Sequence, residues 1–194
     1  MKKYDKQIAF MLFSLTVIFV LIASINKDFL DWIFARHHNQ LSWYIRPLFL
    51  LPFCYFAFKR SWAGIMGTIF LLTTSMAWFP VPETINAQVK EFLQYEVDYL
   101  TGDWGVGKIL ITLLVPFSLT ALALAFWKRN LWIGLTVLVL IAVGKMTWSV
   151  TSAGDAGKSI FIPALVGLFL CIFLIYWGFK KAQKKNDNQN NLKI

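Results

Sequence analysis

Six long apolar runs, separated by short polar segments, dominate this chain of 194 residues. Each run can cross the roughly 30 Å hydrocarbon core of a bilayer as a helix of about 20 residues. Only helices and closed barrels satisfy the backbone inside a membrane, and these runs lack the alternation of barrel strands. The pattern predicts an all-α integral membrane protein, with one six-helix transmembrane domain over residues 1–179. Its predicted spans are residues 8–25, 41–58, 62–80, 106–127, 131–149 and 159–179.

Two segments between the runs are typical of amphipathic helices. Residues 27–38 and 84–100 carry apolar residues at helical spacing, with charged and amide residues on the opposite face. We expect both helices at the outer face of the membrane, either lying on the leaflet or capping the bundle. After the last run, residues 180–194 are polar and rich in Asn and Lys, which predicts a disordered basic cytoplasmic tail.

The distribution of charge predicts the orientation. Twelve basic and two acidic residues fall on one side of a six-span arrangement, and seven basic and eight acidic residues fall on the other. Because short flanking segments rich in Lys and Arg stay in the cytoplasm, both termini are predicted to be cytoplasmic, with the protein in the cell membrane. The net charge of +9 then reflects membrane orientation, and no nucleic-acid partner is expected.

A second pattern is an internal similarity between spans two–three and spans four–five. Both pairs place a Lys-Arg dipeptide between the spans, followed by the motifs Trp-x-Gly and then Met-x-Trp in the same register. This register predicts a duplicated helical hairpin, a type of parallel repeat that occurs in transporters. Basic pairs and Trp at membrane interfaces also recur in unrelated membrane proteins, so an origin without duplication stays open. The matching residues are Trp62 and Trp132, Gly64 and Gly134, Met76 and Met146, and Trp78 and Trp148.

Lys145 is the clearest candidate for a functional residue. It lies about one turn inside the outer end of span five, next to Gly144. A charge at the centre of a membrane helix costs about 2.5–3.5 kcal/mol on insertion scales, so such residues are rare and usually functional. The alternative is that the long side chain simply extends to the outer interface.

Two further cations begin spans two and four. Arg46 and Lys108 oppose the partial positive charge of a helix N-terminus, which suggests an anionic partner for each. With Lys145 and Lys158 they place four cations near the outer rim. Their partner is either a lipid phosphate or an acidic side chain, and the acidic candidates are Asp103, Asp155 and Glu83. The two Asp residues precede spans four and six, where the alternative role is a helix cap.

Two motifs suggest chemistry that the sequence does not support. His37 and His38 are adjacent, and neighbouring helical residues point about 100° apart, so no metal site is predicted. Proton sensing and interfacial hydrogen bonding both stay open for this pair. Residues 152–159 resemble a phosphate-binding loop, but Ser152 replaces the first Gly and no strand is predicted before it. A Gly-rich hairpin between spans five and six is the preferred interpretation, and no cofactor is expected.

These features favour a small transporter or channel-like protein that binds an anionic or zwitterionic solute in an outward-facing polar vestibule. In this hypothesis Lys145, Arg46 and Lys108 supply the positive charge, while Asp103 and Asp155 set their orientation. A Lys145→Met variant with unchanged binding and transport would remove Lys145 from the site.

Two alternatives stay open. The first is a membrane-embedded enzyme acting on a lipid or polyprenyl phosphate at the outer leaflet, with His37 or His38 and a carboxylate as acid and base. It is disfavoured because the sequence contains no recognisable catalytic constellation. The second is a non-catalytic accessory or assembly subunit of a membrane complex. Expected partners are membrane lipids, a small-molecule or lipid-phosphate ligand, and either a second copy or another membrane protein.

Overall fold

The computed structural model describes the backbone of residues 3–191 and the side chains of residues 3–181. This part of the chain is helical and contains no strand, which confirms the all-α prediction. Two 3₁₀ segments, Ser75–Ala77 and Gly154–Ile160, interrupt the α-helices. The α-helices are α1 Asp5–Ile25, α2 Lys27–His37, α3 Leu41–Leu48, α4 Leu50–Phe58, α5 Trp62–Thr74, α6 Ala87–Thr101, α7 Val106–Trp127, α8 Leu131–Ala153 and α9 Phe161–Asn191.

Several of these helices are compatible with a membrane location. Four helical stretches are long and apolar enough to cross a bilayer: Asp5–Ile25, Leu41–Phe58, Val106–Trp127 and Leu131–Lys181. The apolar helix Trp62–Ala77 is shorter. The stretch from Leu131 has 51 residues because it joins α8, a 3₁₀ segment and α9, so the number of spans stays a prediction. The predicted disordered tail also stays a prediction, because residues 192–194 and the side chains from residue 182 onward lie outside the described part.

Two tight turns connect α4 to α5 and α7 to α8 at one end of the bundle, which we call the turn end. Arg60 and Arg129 occupy the left-handed region, with φ of 52° and 57°. Each is followed by a capping residue whose side chain accepts a hydrogen bond from the first turn of the next helix, Ser61 from Gly64 N and Asn130 from Ile133 N.

Asp5 fixes α1 to the start of α5. Its carboxylate accepts hydrogen bonds from Ser61 Oγ at 2.7 Å, Trp62 N at 2.9 Å and Ala63 N at 3.3 Å. These amides are among the donors that a helix leaves unsatisfied at its N-terminus, where a negative charge is also favoured. Asp5 therefore caps α5, a helix that begins more than fifty residues later in the chain. The sequence alone shows only that Asp5 is an acid near the N-terminus.

The opposite end of the bundle, which we call the cap end, is covered by α2, α6 and the 3₁₀ segment Gly154–Ile160. Both predicted amphipathic helices form there and pack as caps. Their apolar faces join one cluster of buried residues, Leu30, Ile33, Phe34, Trp43, Val89, Phe92, Leu93, Ala156 and Ile160. A separate core lies nearer the turn end, where α4 packs against α5, α7 and α9 around Phe53, Ala57, Leu122, Phe126 and Leu138.

The chain reverses direction between α8 and α9 through a close backbone contact. Gly154 takes φ of 57°, and Gly157 lies directly against the backbone of Ser149 and Val150. This contact allows α9 to return along α8, against which it packs. The residues that resemble a phosphate-binding loop thus belong to the end of α8 and a 3₁₀ segment.

Candidate functional site

Four side chains from four different helices meet where the cap helices join the bundle. His37 ends α2, Arg46 belongs to α3, Glu96 to α6 and Lys145 to α8. We call them the polar cluster. Two of its members are predicted cations, Arg46 at the start of span two and Lys145 inside span five.

His37 is the most enclosed member, with only 3% of its surface exposed. Its Nε2 atom lies 3.1 Å from Arg46 Nη1, and its Nδ1 atom lies 2.8 Å from Ser42 Oγ. A guanidinium group only donates, so Nε2 is the acceptor and the ring proton lies on Nδ1, which donates to Ser42. The Ser42 hydroxyl in turn donates to the carbonyl of Asn39 at 2.8 Å. Both ring nitrogens are therefore occupied, and the ring is neutral.

Burial and nearby charge keep His37 neutral. Desolvation is the largest cause that lowers the pKa of His37 well below the ordinary value of 6.5, followed by the charges of Arg46, Lys145 and His38. Protonation would also place a donor opposite the Arg46 guanidinium. A neutral His37 thus joins the cap to α3 through a hydrogen bond that requires the unprotonated ring.

This arrangement predicts a pH-dependent stability. The unfolded chain binds a proton at His37 more readily than the folded protein does, so stability falls as pH drops below 6.5. We expect the thermal unfolding midpoint in detergent to fall by several degrees between about pH 7.5 and about pH 5. His37→Gln, which still accepts from Arg46 and donates to Ser42, should lose this dependence. His38 is present in both proteins and serves as the internal control. An equal fall in both proteins would contradict the role of His37.

Lys145 is held by a carboxylate and two aromatic rings. Its Nζ atom donates to Glu96 Oε1 at 2.7 Å, and the side chains of Lys145 and Glu96 are 46% and 17% exposed. The ammonium also lies 5.4 Å from the ring centroid of Phe92 and 4.6 Å from that of Trp148. These contacts direct the Lys145 side chain toward α6.

The polar cluster carries an excess of positive charge. Arg46 and Lys145 are cations, His37 is neutral, and Glu96 supplies the cluster's one carboxylate. Glu96 lies near enough to interact electrostatically with Arg46 as well as with Lys145. One carboxylate therefore faces two cations, and the cluster has a formal charge of one positive unit.

The other predicted cations make local contacts outside this cluster. Lys108 Nζ donates to the carbonyls of Gly102 at 2.8 Å and Asp103 at 3.4 Å, and it lies over the rings of Tyr99 and Trp104. Its partners are neutral groups of the loop before α7.

Lys158 forms an exposed ion pair with Asp155 at 2.5 Å, three residues earlier in the chain. His38 Nδ1 donates to the carbonyl of Phe34 at 2.7 Å, away from the cluster. The side chains of Asp103 and Glu83 are exposed and make no polar contact within the described residues. Of the predicted site residues, the fold brings together only His37, Arg46 and Lys145.

Glu96 is the member that sequence reasoning missed. It belongs to a helix whose charged residues were assigned to the exposed face. Its spacing from Val89, Phe92 and Leu93 follows one helical stripe, and those three residues are buried. The position of the Glu96 carboxylate on the apolar stripe of an amphipathic helix was the feature from which its role could have been predicted.

Comparison with protein-family models, curated protein sequences and solved structures finds no match. The function of the cluster must therefore be inferred from its own chemistry. Arg46 and Lys145 are permanent hydrogen-bond donors, and their two positive charges exceed the single negative charge of Glu96. The polar cluster is therefore suited to binding an anion. His37 has no free ring nitrogen, so it lacks the open position that a general acid or base needs.

Proposed function

We propose that this chain is a six-span protein of the cell membrane, with both termini and the turn end in the cytoplasm. The charge distribution supports this orientation, because Lys59, Arg60, Lys128 and Arg129 all lie at the turn end. The 51-residue apolar stretch supports two spans, since α8 and α9 pack against each other across the reversal at Gly154. The helix Trp62–Ala77 packs beside α1 and α4 and would supply the remaining span.

We also propose that spans two–three and spans four–five are two copies of one helical hairpin. The matching geometry of the turns at Arg60 and Arg129, and the contacts that each turn makes with the other hairpin, support this duplication. Arg60 Nε donates to the carbonyl of Trp127 at 3.3 Å, and the Arg129 guanidinium lies 5.0 Å from the ring centroid of Phe58. The first helices of the two hairpins, α4 and α7, pack against each other, which is compatible with a two-fold axis between the repeats.

Cysteine labelling from outside the cell tests the topology. We expect a membrane-impermeant maleimide to label Gln94→Cys and Asp155→Cys in intact cells. Lys59→Cys and Lys128→Cys should react only after the membrane is opened. The native Cys54 and Cys171 are buried and serve as the background. If Trp62–Ala77 does not cross the membrane, Lys59→Cys and Gln94→Cys will be labelled from the same side.

Within this architecture, we propose that the polar cluster binds an anionic or zwitterionic solute, as part of a small transporter or channel-like protein. The observation that carries the proposal is the position of Arg46, which is bonded to His37 and lies within electrostatic range of the ion pair between Lys145 and Glu96. These cations come from different helices and are held in place before any ligand arrives, which lowers the cost of ordering a site. An arriving anion would take the position of Glu96 beside Lys145, and a zwitterion would also offer Glu96 a cation.

Anion-dependent thermal stabilisation tests this binding role. The protein in an uncharged detergent is titrated with inorganic phosphate, glycerol phosphate or glutamate, because a ligand that binds the folded state raises the unfolding midpoint. We expect Lys145→Met and Arg46→Met each to weaken binding of the effective anion by about tenfold or more. Lys158→Met is the matched control, because Lys158 lies at the same end in an exposed ion pair. Equal stabilisation of all four proteins would contradict the proposed site.

A further inference from the structure

Most of the surface of α7 in the half nearest the cap end is uncovered. Eight large apolar side chains between Val106 and Phe117 are between 42% and 75% exposed. Successive helical residues point about 100° apart, so this series covers the circumference of the helix except for the sector that carries Lys108 and Thr112. Nearer the turn end, Leu122, Ala125 and Phe126 are buried in the core. Protein therefore surrounds only one half of α7.

Tyr99 bridges α7 and α8 close to the cap end. Its hydroxyl lies 3.1 Å from the carbonyl of Lys108 and 3.2 Å from the hydroxyl of Thr112, both in α7. Its ring packs against Trp148 of α8 with the centroids 5.5 Å apart. This bridge marks the level at which Thr112 and Trp148 face each other across the two antiparallel helices.

One turn deeper, each of the two helices has an open position. Val115 follows Thr112 on the same face of α7, yet it is 61% exposed. Gly144 precedes Trp148 by one turn of α8, and a Cβ atom added there would meet nothing within 4 Å. Deeper still, Leu122 and Leu138 are fully buried in one core. We call these two open positions, Val115 on α7 and Gly144 on α8, the side window.

The side window lies next to the polar cluster along the chain, because Lys145 directly follows Gly144. Lys145 lies on the stripe of α8 that also carries the buried Leu138 and Ser149, but its side chain is 46% exposed. The side window is therefore adjacent to Lys145, the cation on the inward-facing stripe of α8. Pro116 lacks the amide hydrogen that would bond to the carbonyl of Thr112, which leaves an acceptor at the same level.

We infer that the ligand is an anionic glycerophospholipid that enters sideways from the outer leaflet, with its phosphate at Lys145 and Arg46. This inference rests on the proposed function. Its acyl chains would lie along the uncovered half of α7, about 13 Å of helix between Val106 and Val115. The Thr112 carbonyl would accept a hydrogen bond from a headgroup hydroxyl.

The test uses the full-length protein in an uncharged detergent and two probes that share one headgroup. Dihexanoylphosphatidylglycerol carries acyl chains, and glycerophosphoglycerol is the same headgroup without them. We expect the lipid to bind at least about tenfold more tightly than the free headgroup. Dihexanoylphosphatidylcholine should bind more weakly than the phosphatidylglycerol, because its headgroup has no net charge.

Variants of the side window distinguish lateral entry from binding through water. Val115→Trp fills the window and should weaken lipid binding by about tenfold or more while leaving glycerophosphoglycerol binding unchanged. Ile162→Trp is the control, since Ile162 belongs to α9, outside the proposed lipid surface, and is 67% exposed. Gly144→Leu fills the same window from α8 and gives an independent result if Val115→Trp does not fold.

Each outcome decides between the two proposals. Equal affinities for the lipid and the free headgroup, both weakened by Lys145→Met, would overturn lateral entry and keep the proposed function. Lipid binding that resists both window-filling variants would overturn lateral entry, and equal binding of the two lipids would overturn an anionic ligand. Binding of either probe that is insensitive to Lys145→Met would overturn both proposals.

Discussion

Gly157→Ala should lower the unfolding midpoint more than any other alanine substitution that adds one methyl group at the cap end. The new Cβ atom would overlap the carbonyl group of Ser149 and approach the amide of Val150. These are backbone atoms of α8, so no side-chain rotation can relieve the overlap. We expect a loss of about 3 kcal/mol of stability, the upper part of the range for overpacking, because the contact holds α8 and α9 together. Thermal unfolding in detergent measures the effect.

Gly107→Ala provides the matched control. A Cβ atom at Gly107, in the first turn of α7, would meet nothing within 4 Å. Alanine also favours a helix over glycine by up to about 1 kcal/mol, so this variant should be as stable as the wild type or more stable. Equal midpoints for Gly157→Ala and Gly107→Ala would show that the reversal between α8 and α9 does not depend on the close backbone contact.

Glu96→Gln should have opposite effects on stability and on anion binding. The substitution removes the carboxylate that pairs with Lys145 at 2.7 Å, so the protein without ligand should unfold at a lower temperature. It also raises the formal charge of the polar cluster from one positive unit to two. We expect the variant to bind an anion about tenfold more tightly, because the ligand no longer competes with an internal carboxylate. Titration with phosphatidylglycerol or glycerol phosphate measures the change.

Glu91→Gln is the control for this substitution. Glu91 lies on the exposed face of the same helix. Glu91→Gln therefore changes the net charge of the protein by the same amount as Glu96→Gln, but it does not contact the polar cluster. It should alter neither the midpoint nor the affinity. Unchanged or weaker anion binding by Glu96→Gln would exclude competition between Glu96 and the ligand.

Helical periodicity was sufficient to predict the elements that bury a continuous apolar face. The predicted amphipathic segments, 27–38 and 84–100, form helices at Lys27–His37 and Ala87–Thr101. The second starts later because Asn86 caps it, accepting hydrogen bonds from the amides of Gln88 and Val89. The predicted span 62–80 ends as helix at Ala77, in a 3₁₀ turn ahead of Pro80. Element boundaries thus depended on local capping and turn chemistry, which apolar runs do not encode.

The site was only partly predictable, because the decisive contacts are distant in sequence. A cation inside an apolar run identified Lys145, and a cation at the start of a span identified Arg46. Nothing local could indicate that Lys145 pairs with Glu96, 49 residues away. Lys158 instead forms an ion pair with Asp155, three residues earlier, and such a local pair can be predicted from the sequence. The occupied ring nitrogens of His37 depend on the turn between α2 and α3, which brings Ser42 and Arg46 to the same ring.

The central claim is that the polar cluster holds an anionic ligand through Lys145 and Arg46. Native mass spectrometry of the protein extracted gently from cell membranes tests it most directly, with identification of any molecule that stays bound. The wild-type protein should retain one anionic molecule per chain, and Lys145→Met should release it while Lys158→Met keeps it. A bare wild-type protein, or the same molecule retained equally by Lys145→Met, would contradict the claim.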